Sequence, residues 1–260
     1  MEVVVLDDAA QRAELVAAAI ADLVRRKPDA VLGLATGSSP LSVYDALAAA
    51  HARGELSLRR ASAFLLDEYL GLEPGHPQSY REVIERELVT RVDLDPARVH
   101  SPDGHARDVP AACAAYEDAI AAAGGVDLQL LGIGSDGHLA FNEPGSSLAS
   151  RTRVKTLTEQ TRADNARFFD SVDDVPRHVL TQGIGTILQA RHLVLLASGA
   201  PKAEAVAACV EGPVTASWPA SALQLHPHVT VLLDGAAAGA LQRRDYYREV
   251  WAGKPSWQGL

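Results

Sequence analysis

The sequence predicts an α/β protein built on one mainly parallel sheet with helices on both faces. Short apolar runs typical of buried strands alternate with longer segments whose apolar residues recur at helical spacing. This alternation along most of the chain favours a parallel sheet covered by helices. No Gly/Ser linker, low-complexity run or internal repeat divides the sequence, so we expect residues 1–260 to form a single doubly wound, Rossmann-like domain.

Each predicted element rests on a local pattern. Apolar runs of four to six residues predict strands at residues 3–6, 31–35, 63–66, 128–133, 193–197 and 229–233, and residues 154–157 are a further candidate strand. Helical spacing or alanine-rich composition predicts helices at residues 10–26, 41–50, 77–89, 110–123, 163–169, 183–188, 201–210 and 236–250. Ligands gather at the carboxyl ends of the strands in such sheets, so we expect the site in the loops that follow strands.

The amino-acid composition indicates which binding partners and which cellular environment to expect. The net charge of −9 disfavours nucleic acid, because its phosphates attract clustered Lys and Arg side chains. No segment approaches the roughly 18 consecutive apolar residues of a membrane span, and we recognise no signal peptide. Cys113 and Cys209 show no metal-binding spacing and are predicted to be free thiols in a reducing, cytoplasmic protein.

The first candidate loop follows strand 31–35 and contains Thr36, Gly37 and Ser38. Gly37 allows a ligand to approach the backbone, Ser39 suits a helix N-cap, and Pro40 suits the first helical position. The next helix would then direct its free N–H groups at the loop, which predicts an anion site. The alternative is an ordinary capped turn. Neither a Walker loop nor a GxGxxG motif is present here, so a dinucleotide is not expected.

Two further loops carry groups suited to proton transfer. Asp67 and Glu68 follow strand 63–66, where a carboxylate is a natural general base, although a solvated acidic turn is the alternative. The glycine-rich turn after strand 128–133 presents Asp136 and His138, with Glu143 close behind, and carboxylates can orient an imidazole and stabilise its charged form. A metal site and a purely structural turn are the alternatives; without a helical HxxxH pair we expect no metal.

The fourth loop, after strand 193–197, places Lys202 just beyond Pro201. The first turn of a helix disfavours a cation, so a Lys there indicates a bound anion. A surface lysine is the alternative. All four loops can open onto one edge of the sheet, which predicts proton transfer on a small phosphorylated molecule.

The motifs in these loops are similar to those of a known family. DEYLGL continues into GHPQSY, the third loop reads GIGSDGHLAFNEPGSSLASRTRVKTLT, and GIGTIL, SGAPKA and ALQLHPH follow. Together they strongly resemble the glucosamine-6-phosphate deaminase family from about Val31 to Asp234. The resemblance implies conversion of glucosamine 6-phosphate and water to fructose 6-phosphate and ammonia, without a redox cofactor or a metal.

The resemblance also implies roles for single residues. His138, held by Asp136 and Glu143, would accept a proton as the sugar ring opens, and Asp67 would move the carbon-2 proton to carbon 1 through an enolamine. The implied phosphate-binding residues are Thr36, Gly37, Ser38, Arg167 and Lys202. Residues 162–185 resemble the family's mobile lid, with a rigid cover as the alternative.

Some members of this family are hexamers that an acetylated amino-sugar phosphate activates. The matching segment here carries four polar residues that could hold a second phosphate: Ser146, Ser147, Arg153 and Lys155. We therefore expect a homo-oligomer, for which a hexamer is the family precedent, and name these four residues as an allosteric candidate. A solvated interface loop is the alternative.

Two other functions compete with the deaminase. A 6-phosphogluconolactonase-type hydrolase has a related fold and a similar Gly-Asp-Gly-His turn, but the FNEPGSSLASRTR segment after His138 resembles the deaminase. A non-catalytic sugar-phosphate-sensing module is the second, but the chain lacks a basic helix-turn-helix segment and retains Asp67 and His138.

Overall fold

The computed structural model describes residues 1–255 and 257–260 and contains two sheets. In chain order the strands are β1 (Glu2–Val5), β2 (Val31–Leu34), β3 (Ser62–Leu65), β4 (Asp67–Tyr69), β5 (Val99–His100), β6 (Leu128–Leu131), β7 (Arg153–Thr156), β8 (His178–Thr181), β9 (His192–Ala197) and β10 (Val229–Leu233). The main sheet has seven strands in the order β1-β10-β9-β6-β2-β3-β5, and every pairing in it is parallel.

Helices surround this sheet, which confirms the predicted α/β fold class. They are α1 (Ala9–Arg26), α2 (Leu41–Ala52), α3 (Tyr80–Glu87), α4 (Val109–Ala122), α5 (Glu159–Asn165), α6 (Ile184–Ile187), α7 (Ala203–Val210) and α8 (Arg244–Ala252). The central strands β6, β9 and β10 are buried along their whole length. Burial on both faces explains their almost continuous apolar sequences. No helix within the described residues has the length and apolar content needed to cross a bilayer.

The second sheet was not predicted. It is antiparallel, with the order β4-β8-β7, and its register places Asp67 opposite Thr181. The segment 67–69, predicted as a loop, is therefore a strand that only Leu66 separates from the end of β3. The prediction was wrong because this strand is polar, only three residues long, and paired with a strand more than a hundred residues further along the chain.

Several helix boundaries also differ from the prediction. Helix α2 begins at Leu41 with Pro40 at the N-cap position and no side-chain cap, so the predicted capping role of Ser39 was wrong. Helix α3 begins at Tyr80 instead of residue 77, because the hydroxyl of Ser79 accepts a hydrogen bond from the Glu82 N–H at 3.4 Å. The C-terminal helix begins at Arg244, well after residue 236.

The two cysteines lie in helices and are buried. Cys113 is in α4 and Cys209 in α7, and neither forms a disulfide. Burial raises the pKa of Cys209 to about 12 and also raises that of Cys113. Both thiols therefore stay protonated at neutral pH.

Glu117 on α4 joins the small sheet to the rest of the domain. Its carboxylate accepts hydrogen bonds from the Thr152 N–H at 2.7 Å and from the Thr186 hydroxyl at 2.6 Å. It also pairs with Arg151, while its side chain is only 14% exposed. Thr152 immediately precedes β7 and Thr186 lies in α6, so one carboxylate fixes three separate segments.

We expect Glu117→Ala to lower the free energy of unfolding by about 1–3 kcal/mol, because the Thr152 N–H loses its charged acceptor inside the protein. Urea denaturation followed by circular dichroism would measure this loss. Asp118→Ala is the matched control, since Asp118 is exposed on the same helix. Equal stabilities of the two variants would contradict this role of Glu117.

Candidate active site

Three of the predicted loops follow neighbouring strands of the main sheet. Strands β9, β6 and β2 are adjacent and parallel, so the loops after them leave the sheet at the same edge. The first and third loops also approach each other, because a Cβ placed on Gly132 would lie 3.8 Å from the Ser39 hydroxyl oxygen. Strand β3 is the next neighbour of β2, and the chain passes directly from it into β4, which begins with Asp67.

His138 and Asp136 form a hydrogen-bonded pair in the third loop. Nδ1 of the imidazole lies 2.7 Å from Oδ1 of Asp136, and the same oxygen accepts from the His138 N–H at 3.2 Å. The hydrogen bond to His138 holds the pKa of Asp136 below its usual value. The imidazole is 32% exposed. A ring held at Nδ1 by a carboxylate can exchange a proton with a bound molecule at Nε2.

Two glycines of this loop allow close contacts, Gly134 with the His138–Asp136 pair and Gly137 with Trp218. A Cβ on Gly134 would lie 2.2 Å from His138 Nδ1 and 2.6 Å from Asp136 Oδ1, so only a glycine lets both side chains lie against the backbone there. Gly137 has a φ of +78°, and a Cβ on it would lie 2.7 Å from the Trp218 ring. These contacts give a physical reason for the GxGSDGH spacing: the glycines seat the histidine on one side and pack against Trp218 on the other.

Asp67 is buried beside this loop. It is 6% exposed, and burial, followed by the negative charge of Glu68, raises the pKa of Asp67 well above its usual value. Its strand partner Thr181 accepts a hydrogen bond from the Phe141 N–H at 3.2 Å. Phe141 lies three residues after His138, so strand β8 connects the segment of the carboxyl group to the segment of the imidazole.

The structure gives Glu143 a different partner from the one expected. Its carboxylate accepts a hydrogen bond from the Thr161 hydroxyl at 2.6 Å, which links the third loop to helix α5. Of the two carboxylates expected beside His138, the described hydrogen bonds therefore include only that of Asp136.

The candidate phosphate residues lie on three segments. Thr36, Gly37 and Ser38 form the turn before α2, where Gly37 has a φ of +88°. Lys202 ends the 3₁₀ turn Ala200–Lys202 and so lies just before α7, not in its first helical turn as predicted. Arg167 is exposed in the 3₁₀ turn Ala166–Phe168, with its guanidinium 4.7 Å from the centre of the Phe168 ring. The first two segments flank the His138 loop in strand order, whereas Arg167 belongs to the segment after α5.

That segment, from α5 to β8, covers strand β4. Asn165 donates a hydrogen bond to the Tyr69 hydroxyl at 3.1 Å, and the ring of Phe169 lies 5.6 Å from that of Tyr69. Arg162, which is buried, donates to the carbonyls of Val175 at 3.1 Å and Val172 at 2.6 Å and so ties the segment to itself. The segment predicted to cover the site is thus held together by its own hydrogen bonds and contacts the strand that contains Asp67.

Sequence reasoning missed an aromatic cluster beside Asp67. Its ring contacts join four residues: Tyr69, Tyr80, Phe141 and Phe169. The chain has only six tyrosines and four phenylalanines. Four of these ten residues lie in or next to the candidate loops, and this concentration was the signal that could have revealed the cluster.

The allosteric candidates occupy β7 and the turn before it. Arg153 and Lys155 lie two residues apart on β7 and so share one face of the strand. Ser146 is buried, and its hydroxyl has no hydrogen-bond partner among the described residues, whereas Ser147 is exposed. The described residues contain no group of three or more His, Cys, Asp or Glu side chains arranged to hold a metal ion.

A comparison with known families agrees with this arrangement. The model of the family described as glucosamine-6-phosphate isomerases/6-phosphogluconolactonase matches residues 7–232. The chain belongs to this family. The resemblance noted in the sequence is thereby confirmed, and the match includes all four candidate loops.

Individual relatives place the chain within the family. It is 67% identical over 260 residues to a glucosamine-6-phosphate deaminase of Arthrobacter sp. (strain FB24), and 63% identical over 261 residues to one of Mycolicibacterium smegmatis, with 100% of both chains covered in each case. A solved structure of a monomeric glucosamine-6-phosphate deaminase is 45% identical, with a TM-score of 0.89 over 92% of this chain and 100% of that one. The 6-phosphogluconolactonase of Trypanosoma brucei shares the fold at 22% identity, with a TM-score of 0.74 over 92% of this chain and 98% of that one.

Proposed function

We propose that the chain converts glucosamine 6-phosphate and water to fructose 6-phosphate and ammonia in amino-sugar catabolism. The observation that carries this proposal is the connection between Asp67 and the His138 loop: the strand partner of one binds the backbone of the other. The full-length deaminase relatives support the choice of substrate.

The first steps use the two groups in turn. His138, oriented by Asp136, accepts the proton of the anomeric hydroxyl as the ring opens and delivers it to the ring oxygen. Asp67 then removes the proton from carbon 2 and returns it to carbon 1, which passes through an enolamine. Water adds to the resulting iminium carbon, and ammonia leaves as the ketone forms.

The remaining candidates hold the substrate. Thr36, Gly37 and Ser38 offer backbone and hydroxyl donors before helix α2, whose N-terminus favours an anion. Lys202 supplies a compact positive charge, and Arg167 supplies a forked one. Glu143 acts through Thr161 on the segment that covers the site. That segment keeps water from the enolamine when it is closed.

The direct test is to incubate the purified chain with glucosamine 6-phosphate and to measure ammonia and fructose 6-phosphate together. We expect equal amounts of the two products. A parallel assay with 6-phosphogluconolactone tests the alternative that the chain is a lactone hydrolase. A measurement of glucosamine 6-phosphate binding tests the alternative that it is a non-catalytic sensing module. Lactone hydrolysis without ammonia release would contradict the proposal, and so would binding of the amino sugar without any turnover.

The expected homo-oligomer and its activation remain separate predictions, as does the cytoplasmic location. The 45%-identical solved deaminase is described as monomeric, so the assembly needs its own measurement. Sedimentation velocity would distinguish a monomer from a hexamer. For the allosteric candidates, a sigmoidal rate curve that becomes hyperbolic with N-acetylglucosamine 6-phosphate would support activation, whereas unchanged kinetics would remove it.

A further inference from the structure

Glu68 is a buried carboxylate that the proposed reaction does not use. It is 5% exposed and accepts four hydrogen bonds, which come from the N–H groups of Tyr69, Tyr80 and Arg81 and from the Ser79 hydroxyl, at 2.8–3.0 Å. A buried carboxylate with this many donors is satisfied as an anion. Glu68 is therefore a fixed negative charge next to Asp67 in strand β4.

The same carboxylate caps helix α3. Tyr80 and Arg81 are the first two residues of this helix, and their N–H groups have no carbonyl partner within it. Glu68 accepts from both, while the Ser79 hydroxyl accepts from the next free N–H, that of Glu82. The position of the helix start thus depends on a side chain of strand β4.

The helix start in turn positions Tyr80. Its ring lies 4.8 Å from the ring of Tyr69 and stacks on Phe141 at 6.2 Å with an interplanar angle of 7°. Tyr69 shares a face of β4 with Asp67, since the two are separated by one residue. Phe141 belongs to the His138 loop. Tyr80 therefore packs between the strand of the proposed base and the loop of the proposed imidazole.

We infer that Glu68 is a positioning residue for the proposed reaction: it anchors helix α3, and with it Tyr80, while holding a fixed negative charge beside Asp67. This inference rests on the proposed function. Glu68 touches neither the substrate nor a reacting atom in this proposal; it acts through Asp67 and Tyr80.

The negative charge of Glu68 affects the ionisation of Asp67 in one direction only. The titratable groups that face Asp67 are Glu68 and Tyr69 on its own strand, Tyr80 on α3 and Tyr116 on α4. Tyr69 has its pKa raised to about 12, and the pKa values of Tyr80 and Tyr116 are raised well above their usual value, so these three are neutral in the working range. The negative charge of Glu68 disfavours ionisation of Asp67.

The test compares Glu68→Gln with the wild type in pH profiles of kcat/KM for glucosamine 6-phosphate. Without the charge, Asp67 ionises more readily, so the acid limb should move to lower pH. We also expect kcat to fall about 10-fold to 100-fold as the helix anchor weakens, with KM little changed. Ser79→Ala is the control: it removes a cap of the same helix without changing the charge, and should lower the melting temperature but leave the acid limb in place.

An acid limb that stays at the wild-type pH in Glu68→Gln would overturn the inference, because a merely structural residue would lower activity without moving it. If this variant does not fold, Glu68→Asp tests the anchoring role instead, because its shorter side chain cannot place the carboxylate within reach of all four donors. A kcat of Glu68→Asp within twofold of the wild type would overturn that role. Wild-type protein that releases no ammonia would instead refute the proposed function itself, before any variant is compared.

Discussion

Replacement of Asp67 with Asn is expected to abolish turnover while the sugar phosphate still binds. Asparagine fills the same space but cannot take the carbon-2 proton, and loss of a general base typically costs about 10²–10⁴-fold in rate. The phosphate candidates lie on other segments, so affinity should persist. Ammonia release measures kcat, and isothermal titration calorimetry measures binding.

The same variant should be more stable than the wild type at neutral pH. Because burial raises the pKa of Asp67, the unfolded chain releases this proton at a lower pH than the folded one. The folded protein therefore loses stability as the pH rises from the pKa of Asp67 in the unfolded chain, about 3.9, towards its pKa in the folded protein. Asparagine has no proton to release in this range, so the variant does not lose this stability. The melting temperature of Asp67→Asn should exceed that of the wild type at pH 7, and the two should converge near pH 3.

An exposed carboxylate gives the matched control for both measurements. Asp118→Asn makes the same chemical change on the surface of α4 and should alter neither kcat nor the pH dependence of melting. Turnover retained in Asp67→Asn would remove Asp67 as the base. Parallel melting curves for that variant and the wild type across the pH range would contradict the effect of its burial.

A single methyl group on Gly134 is expected to disable the imidazole. The added Cβ would lie 2.2 Å from His138 Nδ1, well inside van der Waals contact, so the His138–Asp136 pair must shift. A displacement of about 1 Å at a reacting group can cost about 10²-fold, and we expect a loss of that size in kcat for Gly134→Ala.

Gly132 provides the comparison within the same loop. A Cβ there would meet only Ser39 atoms at 3.8 Å and 3.9 Å, an ordinary contact, so Gly132→Ala should keep most of the activity. Circular dichroism of both variants would separate a local shift from unfolding. Comparable kcat values for the two folded variants would mean that the imidazole tolerates displacement or that it does not take part.

The main sheet could be predicted from sequence because its strands are marked locally. The run from His192 to Ala197 is apolar after its first residue and buried on both faces, and such a run has few other stable environments. The small sheet could not be predicted in the same way. Strand β7 alternates between half-buried and exposed residues, and β4 is a polar tripeptide that becomes a strand only when β8 pairs with it.

In the candidate site, too, the contacts that could be predicted are those between residues close in sequence. Asp136 and His138 are two residues apart, so their contact follows from the local turn and its glycines. The partner of Glu143 depends on where helix α5 lies, and the sequence pattern contains no information about that placement. The start of α3 was misplaced for a related reason: Pro77 suits a helix start, but the acceptors that cap this helix are Ser79 and the distant Glu68.

The two buried thiols offer a way to follow the opening of this fold without an added label. Cys209 is 1% exposed and donates to the Ala220 carbonyl at 3.3 Å, and Cys113 is 7% exposed. An alkylating reagent attacks the thiolate, so each cysteine reacts only when its helix opens to solvent. Mass spectrometry of timed alkylation would then give separate opening rates for α4 and α7 in the unmodified protein.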